Sequence, residues 1–382
     1  MKIILTGGGT GGHLFPLLAV ARELKRIKGP ELELLFLGPI NRFSKIILEE
    51  NGIKTSGIMA GKWRRYSSFQ NIVDIFKFPI GLVQSLYNVW KFMPDAVLAK
   101  GGYGSVPPTI AARIYLIPIL THESDAVPGY ANRFLAKISD KIAVSFPSAE
   151  KYFKADKTVL VGNPIRSEIT AGNLEEAQRI FGLKIDKPVL LVLGGSQGSK
   201  LINERIIEIL PQILEFSQVI HQIGEGNLEA VKKQVATWGI KIGYADYHPY
   251  EFIGPELIHA YRAAELVISR AGASTVTEIA ATKKPSILVP LGTSANNHQL
   301  FNAYAAASVG GALVIKEENF KGNILISKIE ELINNQRERE EMGQKIFGFY
   351  NPKAATALAE SLIGLSEAGK VEGEGLFDKK VI

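Results

Sequence analysis

Two stretches of this chain repeat one pattern, and the repeat constrains the fold more than any other feature. An apolar run at residues 2–5 leads into TGGGTGGH and a helix-period segment at 16–25, where Pro16 suits a first helical turn. A second apolar run at 188–193 leads into GGSQGS and another helix-period segment. A short buried strand followed by a glycine turn and a helix is the opening unit of a parallel α/β sheet. Its recurrence predicts two similar α/β domains with a boundary near Gly162, where the turn-rich VGNPIRSE lies. With 382 residues, 46% of them hydrophobic, the chain is long for one core. Further strands are predicted at 32–37, 96–99, 118–120, 141–144, 219–222, near 250–253, 266–269 and 286–290, and a helix near 354–363. The Gly-rich, charged end from Ser366 has the composition of a weakly ordered tail.

Gly7, Gly9 and Gly12 satisfy G-x-G-x-x-G, which in a dinucleotide site is followed by an acidic residue at the end of the next strand. Here that strand ends in Gly38-Pro39, so the turn is either a backbone-lined anion pocket or a tight packing turn. The stretch from Ser269 to Ala303 is richer: a strand, a small-residue turn, a helix carrying Glu278, a second strand, then a polar loop with His298, Gln299 and Asn302. Helix-start N–H groups, one carboxylate and several amides suit a nucleotide sugar. Thr275-x-x-Glu278 also has the form of a capping box, which would use the carboxylate on the backbone.

Composition excludes several chemistries. Without cysteine there are no disulfides, thiolate metal sites or cysteine nucleophile. No two aspartates are separated by one residue and no histidines stand at i, i+4, which argues against a metal site. The net charge of +6 fits an anionic substrate, an anionic membrane surface or nucleic acid, and no nucleic-acid recognition module is present. The amino terminus lacks the pattern of a signal peptide, and no apolar run reaches the ~18 residues of a spanning helix, so membrane contact is expected to be peripheral.

His13 ends the first glycine loop, placed to act as a base or as a donor to a substrate oxygen. THESD sets His122, Glu123 and Asp125 in one predicted strand-end loop, with an Asx-turn at Asp125 or a cap at Ser124 as the alternatives. Arg166 and Ser196 are candidate phosphate contacts, against a solvated linker arginine and a helix cap. Between residues 62 and 91, Arg64, Arg65, Lys77 and Lys91 alternate with Trp63, Phe69, Phe76, Phe78 and Trp90. That mixture fits an anionic leaflet, and equally Ile72, Ile75, Phe76 and Pro79 fit helix-core positions.

Taken together, GGTGGHLFP, GGYGSVPP, HESDAVPGYANR, GNPIR, GGSQGS and SRAGASTVTEIAA, in this order and covering the chain to about Ile315, resemble the MurG family of N-acetylglucosaminyltransferases. The resemblance implies an α/β GT-B glycosyltransferase fold, two Rossmann-like domains whose parallel sheets face a cleft: 1–163 for the acceptor and membrane, 164–349 for the UDP-sugar donor. The carboxyl-terminal helix, about 350–365, would pack back on the first domain, and 366–382 would be the tail. It implies inverting transfer of N-acetylglucosamine from UDP-N-acetylglucosamine to the 4-hydroxyl of the muramoyl sugar of lipid I, giving lipid II. The alternatives are a related transferase acting on diacylglycerol and a non-catalytic nucleotide-sugar binder.

By the same resemblance Ala273, Ser274 and Thr275 meet the diphosphate, Glu278 the ribose, Ser196 and Arg166 the phosphates, Ile253 the uracil, and His298, Gln299 and Asn302 the sugar side. Thr10, Gly11, Gly12 and His13 lie near the acceptor diphosphate and the reaction centre. His13 is expected as the general base, with Asp125 second, and no metal or other cofactor is required. The 62–91 segment matches the family's membrane-facing patch, which places the enzyme peripherally on the cytoplasmic face of the cell membrane. Three positions depart from the family: Asp125 where asparagine is frequent, His298 where glutamine is common, and Lys283 and Lys284 where small residues are usual.

Overall fold

The computed structural model describes residues 1–8, 11–61, 69–195, 198–240, 242 and 246–377. Thr10, Ser196, residues 62–68 and residues 378–382 lie outside the described ones. The chain divides into two units, one formed by Met1–Arg166 with the segment from Asn351 onward, the other by Ser167–Tyr350.

In the first unit seven strands make one parallel sheet: β1 Lys2–Thr6, β2 Glu33–Gly38, β3 Lys54–Gly57, β4 Ala96–Ala99, β5 Ile119–Glu123, β6 Lys141–Val144 and β7 Thr158–Leu160. Their order is β3-β2-β1-β4-β5-β6-β7. The second unit has six: β8 Val189–Leu193, β9 Gln218–Gln222, β10 Tyr247–Tyr250, β11 Leu266–Ser269, β12 Ser286–Leu288 and β13 Leu313–Val314, ordered β10-β9-β8-β11-β12-β13. Each sheet is thus doubly wound from its first strand outward, and the order reverses between β1 and β4 and between β8 and β11. Ligands of open α/β sheets bind outside the strand carboxyl ends at such a switch point.

Helices cover both faces, so the central strands are continuous apolar runs: Ile3, Ile4 and Leu5 are all fully buried. On one face of the first sheet, Leu17 and Leu24 of helix Gly11–Lys28 pack with Phe36 and with Leu358 and Leu362 of the carboxyl-terminal helix Ala354–Phe377. Each such side chain contributes roughly 1.5–3 kcal/mol by leaving water. Thr356 Oγ1 donates to Glu23 Oε2 at 3.0 Å and Lys28 pairs with Glu367 at 3.0 Å, fixing the carboxyl-terminal helix to this unit. On the other face, Val89 of helix Phe69–Phe92 and Ala111 and Ala112 of helix Val106–Ile114 pack on Ile4, Val97 and Ile119.

Several expectations change. Helix Gly11–Lys28 starts in the glycine turn, so Pro16 is its sixth residue and, lacking an N–H, leaves the Gly12 carbonyl without its helical donor. The strand expected near 250–253 is β10, Tyr247–Tyr250, and Ile253 lies beyond it. β3, β7 and β13, which are not among the expected strands, are all edge strands, and β3 carries no apolar run. Past Ser366 the carboxyl-terminal helix runs on to Phe377.

Candidate active site

In the first unit the turns after β1 and β4 are tied together: the Gly8 N–H donates to the Gly101 carbonyl at 3.1 Å and that of Lys100 to Thr6 at 2.8 Å. Gly101, at φ +92°, has no room for a side chain, since a Cβ there would lie 2.1 Å from Asn132 Oδ1. The His13 ring fills the space left by two other glycines. A Cβ on Gly8 would sit 3.0 Å from its Nδ1, and one on Gly102 3.2 Å from its Nε2. Gly11 and Gly12 form the first turn of the same helix, and a Cβ on Gly12 would meet nothing within 4 Å. A half-buried imidazole thus stands at a helix start over two glycine turns.

The THESD segment is not one loop. β5 extends through Glu123, so His122 and Glu123 are buried strand residues, and only Ser124 and Asp125 lie in the turn beyond. His122 Nε2 donates to the Gly162 carbonyl at 3.1 Å, and burial together with the nearby Lys100 charge holds its pKa well below the usual value. A neutral, fully buried ring with this bond is a brace between β5 and the turn after β7. Glu123 accepts from Asn132 Nδ2 at 2.8 Å and from the Asp125 N–H at 2.9 Å. Burial, then the charge of Asp125, pushes its pKa up to about 7. Asp125 itself is half-buried. Arg166, the last residue before the crossing to the second unit, lies over the Phe15 ring at 5.6 Å.

In the second unit the turns after β8 and β11 adjoin, since Leu193 and Ser269 are paired in register. Helix Ala273–Ala281 begins after its N-cap Gly272, which has no side chain to cap it. Its leading N–H groups, which have no helical acceptors, therefore converge on the switch point of the sheet. The N-cap at Gly272 puts Thr275 inside the helix, so the capping box does not form. Ser274, Thr275 and Glu278 share one half-buried face, with the Tyr261 hydroxyl donating to Glu278 Oε2 at 3.3 Å.

Two clamps hold the surrounding turns. Gln222, at the end of β9, donates from Nε2 to the Gly195 carbonyl at 3.0 Å and accepts from the Ile253 N–H at 3.0 Å. It joins the GGSQG turn to the segment expected at the uracil. Arg270 pairs with Glu317 at 2.7 Å and donates to the Val289 carbonyl at 3.1 Å, while Glu317 also accepts from the Gly292 N–H at 3.0 Å.

Beyond β12, Asn296 and Asn297 both have φ +53° and turn the chain into helix His298–Ser308. Asparagine tolerates that left-handed conformation better than most residues. Half-buried His298 opens the helix. Gln299 Oε1 accepts from the Leu291 N–H at 3.0 Å. Asn302 is fully buried, with Nδ2 donating to the Ala271 carbonyl at 3.1 Å in the turn before Ala273. Lys100, Asn132, Gln222 and the Arg270–Glu317 pair escaped sequence reasoning. The available signal for Lys100 and Gln222 was a polar residue closing an apolar strand.

On helix Phe69–Phe92 the side chains of Phe76, Ile80, Val83, Tyr87 and Trp90, spaced four and three apart, form one exposed apolar stripe. Phe76 is 68% exposed and Pro79 is exposed too, which rules out the core reading for both. The side chains of Ile72 and Ile75 lie outside the described residues. No described helix is long and apolar enough to cross a membrane.

Comparison with known proteins bears on both units. Residues 3–144 match the glycosyltransferase family 28 N-terminal domain and residues 189–358 the C-terminal domain of the same family. The chain is 40% identical, over 88% of its length and 92% of the relative's, to the UDP-N-acetylglucosamine–N-acetylmuramyl-(pentapeptide) pyrophosphoryl-undecaprenol N-acetylglucosamine transferase of Clostridium botulinum strain Hall. The protein of that name from Clostridium tetani is 38% identical, over 92% of this chain and 94% of the relative. Among solved structures, MurG of Acinetobacter baumannii superposes with a TM-score of 0.73 at 27% identity, covering 95% of this chain and 99% of that one.

Proposed function

The chain belongs to glycosyltransferase family 28 and within it to the MurG transferases, from which we infer that it transfers N-acetylglucosamine from UDP-N-acetylglucosamine to lipid I, giving lipid II. Its fold is GT-B, with two Rossmann-like domains. One observation carries the reaction furthest: a helix start, Ala273–Thr275, with glycine as its N-cap, at the switch point of the second sheet. There the diphosphate of the donor meets fixed N–H groups and the positive helix end, which stabilise the charge growing on the β-phosphate as UDP leaves.

The remaining roles follow the elements. Glu278, one turn along from Ser274, takes the ribose hydroxyls; Ile253 takes the uracil; Arg166 and Ser196 assist at the phosphates; and His298, Gln299 and Asn302 take the sugar side. Gly11, Gly12 and Thr10 line the acceptor side. A base removes the proton from the muramoyl 4-hydroxyl, the oxygen bonds to the anomeric carbon on the face opposite UDP, and the bond to the β-phosphate oxygen breaks. His13 serves as that base: its ring is held at a helix start by two glycine turns, whereas His122 is spent on the Gly162 carbonyl. Asp125 is the second choice. Charge on the diphosphate is met by the protein alone, without a metal.

The apolar stripe of helix Phe69–Phe92, with Lys77 and Lys91 on the same helix, docks on an anionic leaflet, placing the enzyme peripherally at the cytoplasmic face of the membrane. The transfer assay with UDP-N-acetylglucosamine and lipid I, beside diacylglycerol as acceptor, tests the assignment. Product from lipid I alone is expected; product from diacylglycerol alone overturns it. His13→Ala should lower turnover by about 10²–10⁴-fold with UDP affinity unchanged, and near-normal turnover would remove His13 as base.

A further inference from the structure

At the carboxyl ends of β4 and β5 sits a buried cation that the reaction just described leaves unused. Lys100 directly follows β4, is 3% exposed, and donates from Nζ to Ser124 Oγ in the turn after β5. Glu123, equally buried, is fixed at both oxygens by Asn132 and by the Asp125 N–H. The charges acting on Lys100 are those of Glu123 and Asp125. The other titratable groups beside it are His122, which burial keeps neutral, and His13, across Gly7: a Cβ on that glycine would lie 3.6 Å from Lys100 Cβ and 3.4 Å from His13 Cβ. Helix Tyr130–Ile138 contributes the neutral Asn132. A charge persists in such a place only where opposite charge and hydrogen bonds compensate it.

We propose that Lys100 is a positioning residue for the transfer: its ammonium offsets the carboxylates of Glu123 and Asp125 and so holds the turn carrying Asp125 in the form that receives the acceptor sugar. The proposal rests on the reading above that this unit takes the acceptor. Burial lowers Lys100 to about 8 and raises Glu123 to about 7, so lysine and glutamate are charged together between those values. Below that window Glu123 is protonated and above it Lys100 is neutral; in both cases the turn loses one of the charges balanced around it.

In the full-length protein, kcat/KM for lipid I should therefore rise through about pH 7 and fall above about pH 8. Lys100→Met fixes the turn in the state that the wild type reaches above about pH 8, so kcat/KM for lipid I should be about tenfold or more lower at about pH 7.5 and should no longer fall through about pH 8, while the KM for UDP-N-acetylglucosamine should stay unchanged. A Lys100→Met enzyme with the wild-type pH profile overturns the proposal. A stability cycle with Asp125→Asn reads the same coupling without turnover: Lys100→Met should lower the melting temperature much less in the Asp125→Asn background than in the wild type, and equal losses overturn it. If Lys100→Met alone does not fold, a folded double variant supports the proposal and an unfolded one rejects it. Should the wild-type protein transfer nothing to lipid I, the assigned activity fails while this cycle still decides the role of Lys100.

Discussion

Glu278 shows how much a single residue's role depends on where its helix begins. With Gly272 as N-cap, Glu278 falls on the half-buried face shared with Ser274 and Thr275, and Tyr261 orients its carboxylate at 3.3 Å. A carboxylate so held is suited to two vicinal hydroxyls, and hydrogen bonds to a charged group contribute about 1.5–3 kcal/mol each. Glu278→Ala should weaken UDP binding by roughly tenfold or more in calorimetry, with little further loss for 2′-deoxy-UDP. Unchanged UDP affinity would return Glu278 to a structural role. The histidines divide the same way: His13 fits a space that only glycines leave, while His122 and His221 are fully buried and hydrogen-bonded. Burial lowers His221 to about 3, so it too stays neutral and serves the packing, through Tyr247 and Asn203.

Among the elements, helix Phe69–Phe92 carries two patterns at once. Gly81, Ser85 and Val89 are buried on the side that meets helix Val106–Ile114 and the sheet, while Phe76, Ile80, Val83, Tyr87 and Trp90 face outward. Gly81 allows the close approach, since a Cβ there would fall 1.8 Å from the Met59 carbonyl oxygen. That outward apolar row is the surface on which the proposed membrane docking rests. Val83→Glu and Trp90→Glu should each reduce co-sedimentation with vesicles containing anionic lipid by about tenfold or more, on the scale of 1.5–3 kcal/mol per buried apolar side chain, without changing UDP affinity. Undiminished vesicle binding by the double variant would contradict a membrane role for this helix.

For the molecule as a whole, the first six strands of each unit follow one order, and the proposed function divides the work between them: a nucleotide site on β8, β9, β11 and β12, and an acceptor site on β1, β4 and β5. Neither gathers metal ligands, for among the described residues no three His, Cys, Asp or Glu side chains stand close enough to hold an ion. Transfer should accordingly keep its rate in excess chelator; a loss that added magnesium restores would show that the helix start at Ala273 does not suffice for the leaving diphosphate. The amino-acid sequence by itself determined the duplicated parallel architecture, the glycine turns at both switch points, and the helix start with Glu278 one turn in. Each of these is written in neighbouring residues, as an apolar run, a turn and a helical period. Only the tertiary structure decided which polar residues support a turn. Asn302 ends on Ala271, His122 on Gly162, Gln222 on Gly195 and Ile253, and Lys100 on Ser124. Local spacing carries no record of those bonds, because the partners come from elements far apart in the chain that meet only when the sheets close.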